Sequence, residues 1–415
     1  FGYNGSENFT PKNRYGFFPS VGLGWVISNE SFFEPLTNVI QYLKVRGTWG
    51  QVGNSQISGR RFAYLATVTD SSSTSYTFGK NMDQNYGTTA IDEYAVDVTW
   101  EVADKTDIGV DMRLLNNKLN LQFDYFKESR EGIYLRRSSI PSYVGMINNP
   151  YGNIGKVENK GFELSVNYAN SWGGDWSLSL MGNYSFNRNK VLEDDSTVVY
   201  PWQNTIGNKV GQRFGLVALG LFESYGEIAA SPVQTGDTRP GDIKYKDING
   251  DGKIDEYDKV PIGWGSVPEI MYGFGFSLGW KNLSLTAMFQ GAAHVDAMLS
   301  GEGVLPFSQG SSRGNLLSNI TDRWTEENPR QNAFYPRLSI GNINMNYEES
   351  TWWLKDTDYL RLKNIELSYR LPDHWMKRIH LDNARIFIQG VNLLTSRSSE
   401  QGSHGMGLVR WASFR

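Results

Sequence analysis

The stretch DIGVDMRLLNNKLNLQFDYF, residues 107–126, decides the fold class. Ile108, Val110, Met112 and Leu114 fall on one side, with Gly109, Asp111 and Arg113 on the other. After Asn116-Asn117, Leu119, Leu121, Phe123 and Tyr125 alternate with Asn120, Gln122 and Asp124. Period-two alternation on both sides of a short Asn turn predicts a β-hairpin. The same pattern recurs in GFELSVNYANSWGGDWSLSLMGNYSF, residues 161–186, around Gly173-Gly174, and in MYGFGFSLGWKNLSLTAMFQ, residues 271–290. Further strands are expected at 17–27, 42–52, 359–371 and 384–393. In YLRLKNIELSYRL the alternation slips between Leu362 and Ile365, which predicts a bulge.

With weaker segments included, the chain reads as roughly ten to thirteen strands of about ten residues, the length of a tilted span in an outer membrane. Aromatics gather at strand ends, at Tyr125, Tyr168, Trp176, Tyr184, Tyr272 and Trp280, as two interfacial girdles require. Short connections (LNNK, NSWGGD, WKN) alternate with long ones near 53–98, 130–158, 188–265 and 292–358, rich in Gly, Ser, Asn, Asp and Pro. That asymmetry is the pattern of a membrane barrel with tight turns on one side and large loops on the other. The fold class expected is all-β, a transmembrane antiparallel β-barrel.

Composition bounds the function. The 13 Trp, 22 Tyr and 21 Phe in a chain of mean hydropathy −0.45 fit strands with one wet face. A net charge of −4 gives no basic footprint for nucleic acid, and the absence of Cys excludes disulfides, zinc–thiolate sites and Cys nucleophiles. The run of about 18 apolar residues that a membrane helix needs is missing, which leaves a barrel open. The opening FGYNGSENF carries no initiator Met and reads like mid-strand, so the chain is expected to be a piece of a longer protein.

One motif stands apart. DINGDGKIDEYD, residues 247–258, has the spacing of a calcium loop: Asp247, Asn249, Asp251, Asp255 and Asp258 at positions one, three, five, nine and twelve, Gly252 at the sharp turn, and Lys253 offering its carbonyl. Hard oxygen donors suit Ca2+, here with a structural role: a long loop with few buried contacts gains order by binding an ion. An Asx- and Gly-rich turn is the plain alternative. Asp258 is shorter than the usual Glu, and Pro261 prevents a regular exiting helix. Trp202, Trp264, Trp324, Trp352 and Trp353 lie in or beside the long connections; Trp202, Trp264, Trp352 and Trp353 are the substrate-contact candidates, against packing roles. No catalytic residue is expected: His294, His374, His380 and His404 form no HExxH, and Glu193-Asp194 is an adjacency that 44 acidic residues produce without function.

Taken together, YGFFPSVGLGWVISNESFF (15–33), LKVRGTWGQVGN (43–54), TWEVADKTDIGVDM (99–112), NIGKVENKGFELSVNY (153–168), GDIKYKDINGDGKIDEYDKVPIG (241–263), YLRLKNIELSYRLP (359–372) and IFIQGVNLLT (386–395) resemble the C-terminal half of a TonB-dependent outer-membrane transporter of the SusC/RagA type. The resemblance implies a 22-stranded barrel closed by an N-terminal plug, in the outer membrane of a Gram-negative bacterium. It also implies import of glycan oligosaccharides or peptides with a SusD-like surface lipoprotein as lid and TonB as energy source. Residues 1–415 would be the C-terminal portion of that barrel, in contact with outer-membrane lipid, with the plug and TonB-contacting segment outside this sequence. The ending departs from the family, with Phe414 penultimate and Arg415 last, so a closing strand at 405–415 is not expected. The alternative function is a secreted soluble calcium-stabilised β-protein that binds glycans.

Overall fold

A computed structural model of the chain describes residues 1–57, 61–80, 84–144, 146, 148–307, 316–341, 343–378 and 382–397. Residues 405–415, where no closing strand is expected, lie outside the described residues, as do His380 and His404.

Ten strands form one antiparallel sheet: β1 Ser20–Val26, β2 Ile40–Asn54, β3 Glu101–Leu114, β4 Leu119–Arg136, β5 Tyr151–Trp172, β6 Trp176–Glu193, β7 Ile270–Trp280, β8 Leu283–Ala293, β9 Tyr359–Arg370 and β10 Arg385–Arg397. Each strand pairs with its neighbours in chain order, so the sheet is a pure meander. The three hairpins take the register that alternation dictates: Val110 opposite Phe123, Gly182 opposite Val166, and Phe276 opposite Ala287. The β3–β4 turn places Leu115, Asn116 and Asn117 at φ of 58°, 57° and 62°, a left-handed path that Asn tolerates. Both pairings of β9 slip between Leu362 and Asn364, so the expected bulge falls on Lys363.

One face of the sheet is a continuous apolar belt. A single cross-strand row runs Val45, Val110, Phe123, Leu164, Tyr184, Tyr272. Two strands further along, Leu367 meets Ile388. Large apolar side chains on this face stay bare, Leu23 at 78% and Ile388 at 64% exposed, which in water would be an aggregation site and in a bilayer is the lipid-facing surface. Trp176 and Trp280 lie side by side at 5.9 Å near one rim, and Phe162 with Phe186 at 5.8 Å near the other. Trp176 and Phe186 are ten residues apart on β6, about 33 Å of extended strand. A tilt near 40° reduces that to about 25 Å, the height of an outer-membrane apolar band.

The opposite face is polar. Grooves run across it, one lined by Gln122, Asp124, Glu163, Asn183, Ser185 and Gln290. Arg46 on β2 reaches over Gly109 of β3 to Asp124 of β4, bonding Asp107 at 2.9 Å on the way. A Cβ on Gly109 would sit 2.4 Å from Asp124 Oδ1 and 2.5 Å from Arg46 Cζ. Gly109 is thus the gap through which one guanidinium ties three strands together.

Five connections (27–39, 115–118, 173–175, 281–282 and 371–384) lie at one end of the strands, and four (55–100, 137–150, 194–269 and 294–358) at the other. The expected loop at 130–158 is corrected. β4 continues to Arg136 and β5 starts at Tyr151, because both strands rise beyond the apolar band as a charged ladder that includes Lys127–Glu158 at 2.8 Å and Arg130–Glu101 at 3.2 Å. Alternation of apolar and polar side chains stops there, but the backbone pairing does not.

Candidate functional site

The two longest connections are not separate loops. Residues 194–269 pair among themselves, Arg213–Gly215 with Val260–Ile262, Ala218–Leu221 with Ile243–Tyr245 and Val233–Gln234 with Lys253–Ile254, and 294–358 pairs Asp296–Met298 with Leu354–Asp356. The two connections meet where the Leu216 N–H donates to Glu349 O at 2.9 Å, the Thr351 N–H to Leu216 O at 3.0 Å and the Asp237 N–H to Ile343 O at 2.8 Å. They close on one hydrophobic core of Leu216, Leu221, Ile243, Tyr245, Ile254, Leu305, Trp324, Phe334, Tyr335 and Trp353. We call this unit the outer module. The expectation that the 194–269 connection has few buried contacts is therefore corrected: its apolar residues pair with those of a second connection about a hundred positions later.

A buried polar network pins the module. Asp242 is 1% exposed and accepts from Arg337 Nε and Nη2, both at 2.9 Å. It also accepts from the side chains of Asn344 at 3.2 Å and Asn346 at 2.9 Å, and from the Arg239 backbone N–H at 2.8 Å. Two charges and two amides satisfy one another there, which a buried carboxylate requires. Gly241 beside it has φ of 87°, and a Cβ there would lie 2.1 Å from Trp324 Cε3. Burial pushes the Tyr245 hydroxyl well above its ordinary pKa, and that hydroxyl donates to Met345 O at 2.9 Å.

A second node joins the module to the barrel. Glu269, 4% exposed just before β7, accepts from Arg188 Nε at 2.9 Å and Nη2 at 2.7 Å, and from Lys209 Nζ at 2.7 Å, while His294 Nδ1 lies 3.1 Å from its Oε2. Burial pushes the Glu269 carboxyl up, but the hydrogen bonds from Arg188, Lys209 and His294 outweigh it and hold the pKa at about 2. Next to it Asp296, also 4% exposed, accepts the backbone N–H groups of Trp264 and of Gly265. The sequence reading missed Asp242 and Glu269: neither falls in a recognisable motif, and Arg337 and Arg188, which bind them, lie 95 and 81 positions away.

The calcium-type loop sits on the edge of the module, with Ile254 and Asp258 sealed inside it at 2% and 0% exposure. Gly252 takes φ of 83°, the sharp turn its position demands. The oxygen side chains hold the loop by capping backbone N–H groups. Asp247 accepts from Gly250 at 2.7 Å and Gly252 at 2.9 Å, Asn249 from Asp251 at 3.0 Å, Asp251 from Lys253 at 2.9 Å, and Asp255 from Tyr257 at 2.8 Å. Asp258 accepts from Ile248 at 2.7 Å and Asp255 at 2.9 Å. Among the described residues no three His, Cys, Asp or Glu side chains converge as a metal cage. The donors suit a hard cation in chemistry, while their arrangement here is that of a self-capped loop.

The tryptophan candidates divide. Trp353 is 1% exposed and donates to Asn346 O at 2.7 Å, Trp324 is 5% exposed, and Trp352 is half-buried with its indole N–H on Phe334 O at 3.3 Å. Trp352 and Trp353 are thus corrected from substrate contacts to packing residues, because an amphipathic module needs large apolar bodies in its core. Trp202 stacks on Tyr200 at 4.6 Å and donates to Tyr257 O at 2.9 Å, clamping the calcium-type loop from outside. Trp264 stacks on His294 at 4.1 Å with Lys209 over its ring at 4.8 Å, so its faces serve the Glu269 node.

An apolar outer belt, a polar inner wall, short turns at one rim and a folded module at the other define a segment of outer-membrane β-barrel. The sequence matches the family model described as TonB dependent receptor-like, beta-barrel, over residues 1–393, and the chain belongs to that family. It is 29% identical over 406 residues to the TonB-dependent receptor P3 of Formosa agariphila, covering 94% of this chain and 38% of that protein. To the TonB-dependent receptor SusC of Bacteroides thetaiotaomicron it is 27% identical over 389 residues, covering 90% of this chain and 36% of that protein. A solved structure of the RagAB peptide transporter superposes with a TM-score of 0.67 at 22% identity, covering 95% of this chain and 41% of that one, a likeness of fold. These agree with the SusC/RagA type read from the sequence. The chain spans well under half the length of the curated relatives it matches. Membership of this outer-membrane β-barrel family sets aside the secreted soluble alternative.

Proposed function

We propose that this chain is the C-terminal wall and outer module of a TonB-dependent importer of oligomeric nutrients, glycan oligosaccharides or peptides, working with a SusD-like lipoprotein. The observation that carries the proposal is the inner wall. Asn120, Gln122, Ser165, Asn167, Asn183, Ser185 and Gln290 line its grooves with amides and hydroxyls, groups that hydrogen-bond sugar hydroxyls and peptide amides alike. RagAB is described as a peptide transporter, and TonB dependence is in the names of P3 and SusC. The test is uptake of labelled oligosaccharides and oligopeptides by cells carrying the full-length protein, with and without TonB. TonB-dependent accumulation of one class supports the reading; uptake that ignores TonB refutes it.

The calcium loop belongs to the same proposal, with Asp247, Asn249, Asp251, Asp255, Asp258 and the Lys253 carbonyl as the ligands the motif assigns. The double substitution Asp247→Ala with Asp251→Ala abolishes calcium-dependent protection of residues 230–265 from protease. Equal cleavage of parent and variant, with or without chelator, leaves the self-capped loop as the whole account.

A further inference from the structure

The outward face of the sheet carries a row of cations, of which Arg188 also serves the Glu269 node while Lys127 and Lys160 take no part in the module. The pairing registers place Lys127 opposite Lys160 and Lys160 opposite Arg188, on three adjacent strands. One step further from the bilayer, Lys190 stands opposite Glu158. By parity the three share the lipid-facing side with Tyr125, Phe162 and Phe186, which form the row immediately below them. That aromatic row is the outer edge of the apolar band, on the side of the long connections. The cations therefore stand at the height of lipid headgroups.

The charges are layered. The cationic side chains are about half exposed: Lys127 49%, Lys160 56% and Arg188 45%. The carboxylates they touch lie beneath, Glu158 at 19% and Glu269 at 4%. Four cations, Lys127, Lys160, Arg188 and Lys190, stand with three acids, Glu158, Glu269 and, in the row of Lys190, Asp104, so the surface offered to an approaching anion is net positive.

We infer that this row binds the phosphate of an anionic lipid headgroup in the leaflet on the long-connection side. Ammonium and guanidinium donors meet phosphate oxygens directly, and acyl chains then lie along Tyr125, Phe162 and the belt below. The inference rests on the membrane-barrel fold and not on the proposed cargo.

The experiment uses the full-length protein in phosphatidylcholine nanodiscs doped with phosphatidylglycerol or a phosphorylated lipid A, read by native mass spectrometry of retained lipid. Lys127→Gln with Lys160→Gln weakens retention of the phosphorylated lipid about 25-fold, at about fivefold per lysine near a charged surface. Glu158→Gln strengthens it, whereas a purely structural Lys–Glu ladder gains nothing from that change. Unchanged retention in the double variant overturns the inference. So does displacement of the lipid by millimolar inorganic phosphate, which identifies a free-anion site instead. A fold check by heat-modifiable gel mobility accompanies each variant, and Lys160→Gln alone serves where the double variant does not assemble.

Discussion

Substituting Asp242 by Ala tests whether the outer module is a cooperative unit of its own. The change removes a carboxylate that is 1% exposed and leaves Arg337, whose side chain is 19% exposed, without its bidentate partner. Asn344 and Asn346 also lose an acceptor. Breaking one side of such a buried pair costs about 3–5 kcal/mol, which multiplies the opening equilibrium of the module roughly 100- to 5,000-fold. Hydrogen exchange of the full-length protein in micelles reads this directly, since exchange follows local opening. Amides of 216–254 and 319–353 are expected to lose protection together, while β4, β5 and β6 keep theirs. Two results refute the reasoning. Unchanged exchange in the module means that Asp242 does not pin it, and simultaneous loss in the barrel strands means that module and barrel are one unit.

Other substitutions probe the remaining contacts. Gly241→Ala places a methyl against Trp324 at a φ of 87° and is expected to destabilise the module by about 2 kcal/mol or more, strain and overpacking acting together; proteolysis of the loops at fixed protease reports it. Glu269 has its pKa held at about 2 from an ordinary 4.5, so its contribution, ~3 kcal/mol, is present in full above pH 4.5 and is lost as pH falls towards 2. Glu269→Gln removes that pH dependence, and an unaltered profile of loop protection between pH 5 and 2.5 contradicts the assignment. Gly109→Ala displaces Arg46 from Asp124 and is expected to cost about 1 to 3 kcal/mol without altering the outer module, measured as the urea concentration at which the barrel loses heat-modifiable mobility.

The barrel wall was legible because its logic is local. Within the apolar band each residue of β3 to β8 faces either lipid or the polar interior, so identity alternates with period two whatever lies elsewhere in the chain. Even the bulge at Lys363 showed as a slip in that period. The ladder beyond the membrane was not legible: at 126–136 and 151–160 both faces meet water, the alternation ends, and strands read as loop. For the calcium-type loop, spacing revealed the oxygens and Gly252, but not that Asp258 and Ile254 are sealed into a core.

By itself, then, the sequence determined the all-β class, the hairpin registers and the face that meets the membrane, because those follow from side-chain alternation along single strands. Only the tertiary structure decided that Trp324, Trp352 and Trp353 are packing residues, and that Asp242 and Glu269 are the anchors of the outer module. It also set a row of cations across three strands. Each of those depends on which segments, as much as a hundred residues apart, come to lie side by side.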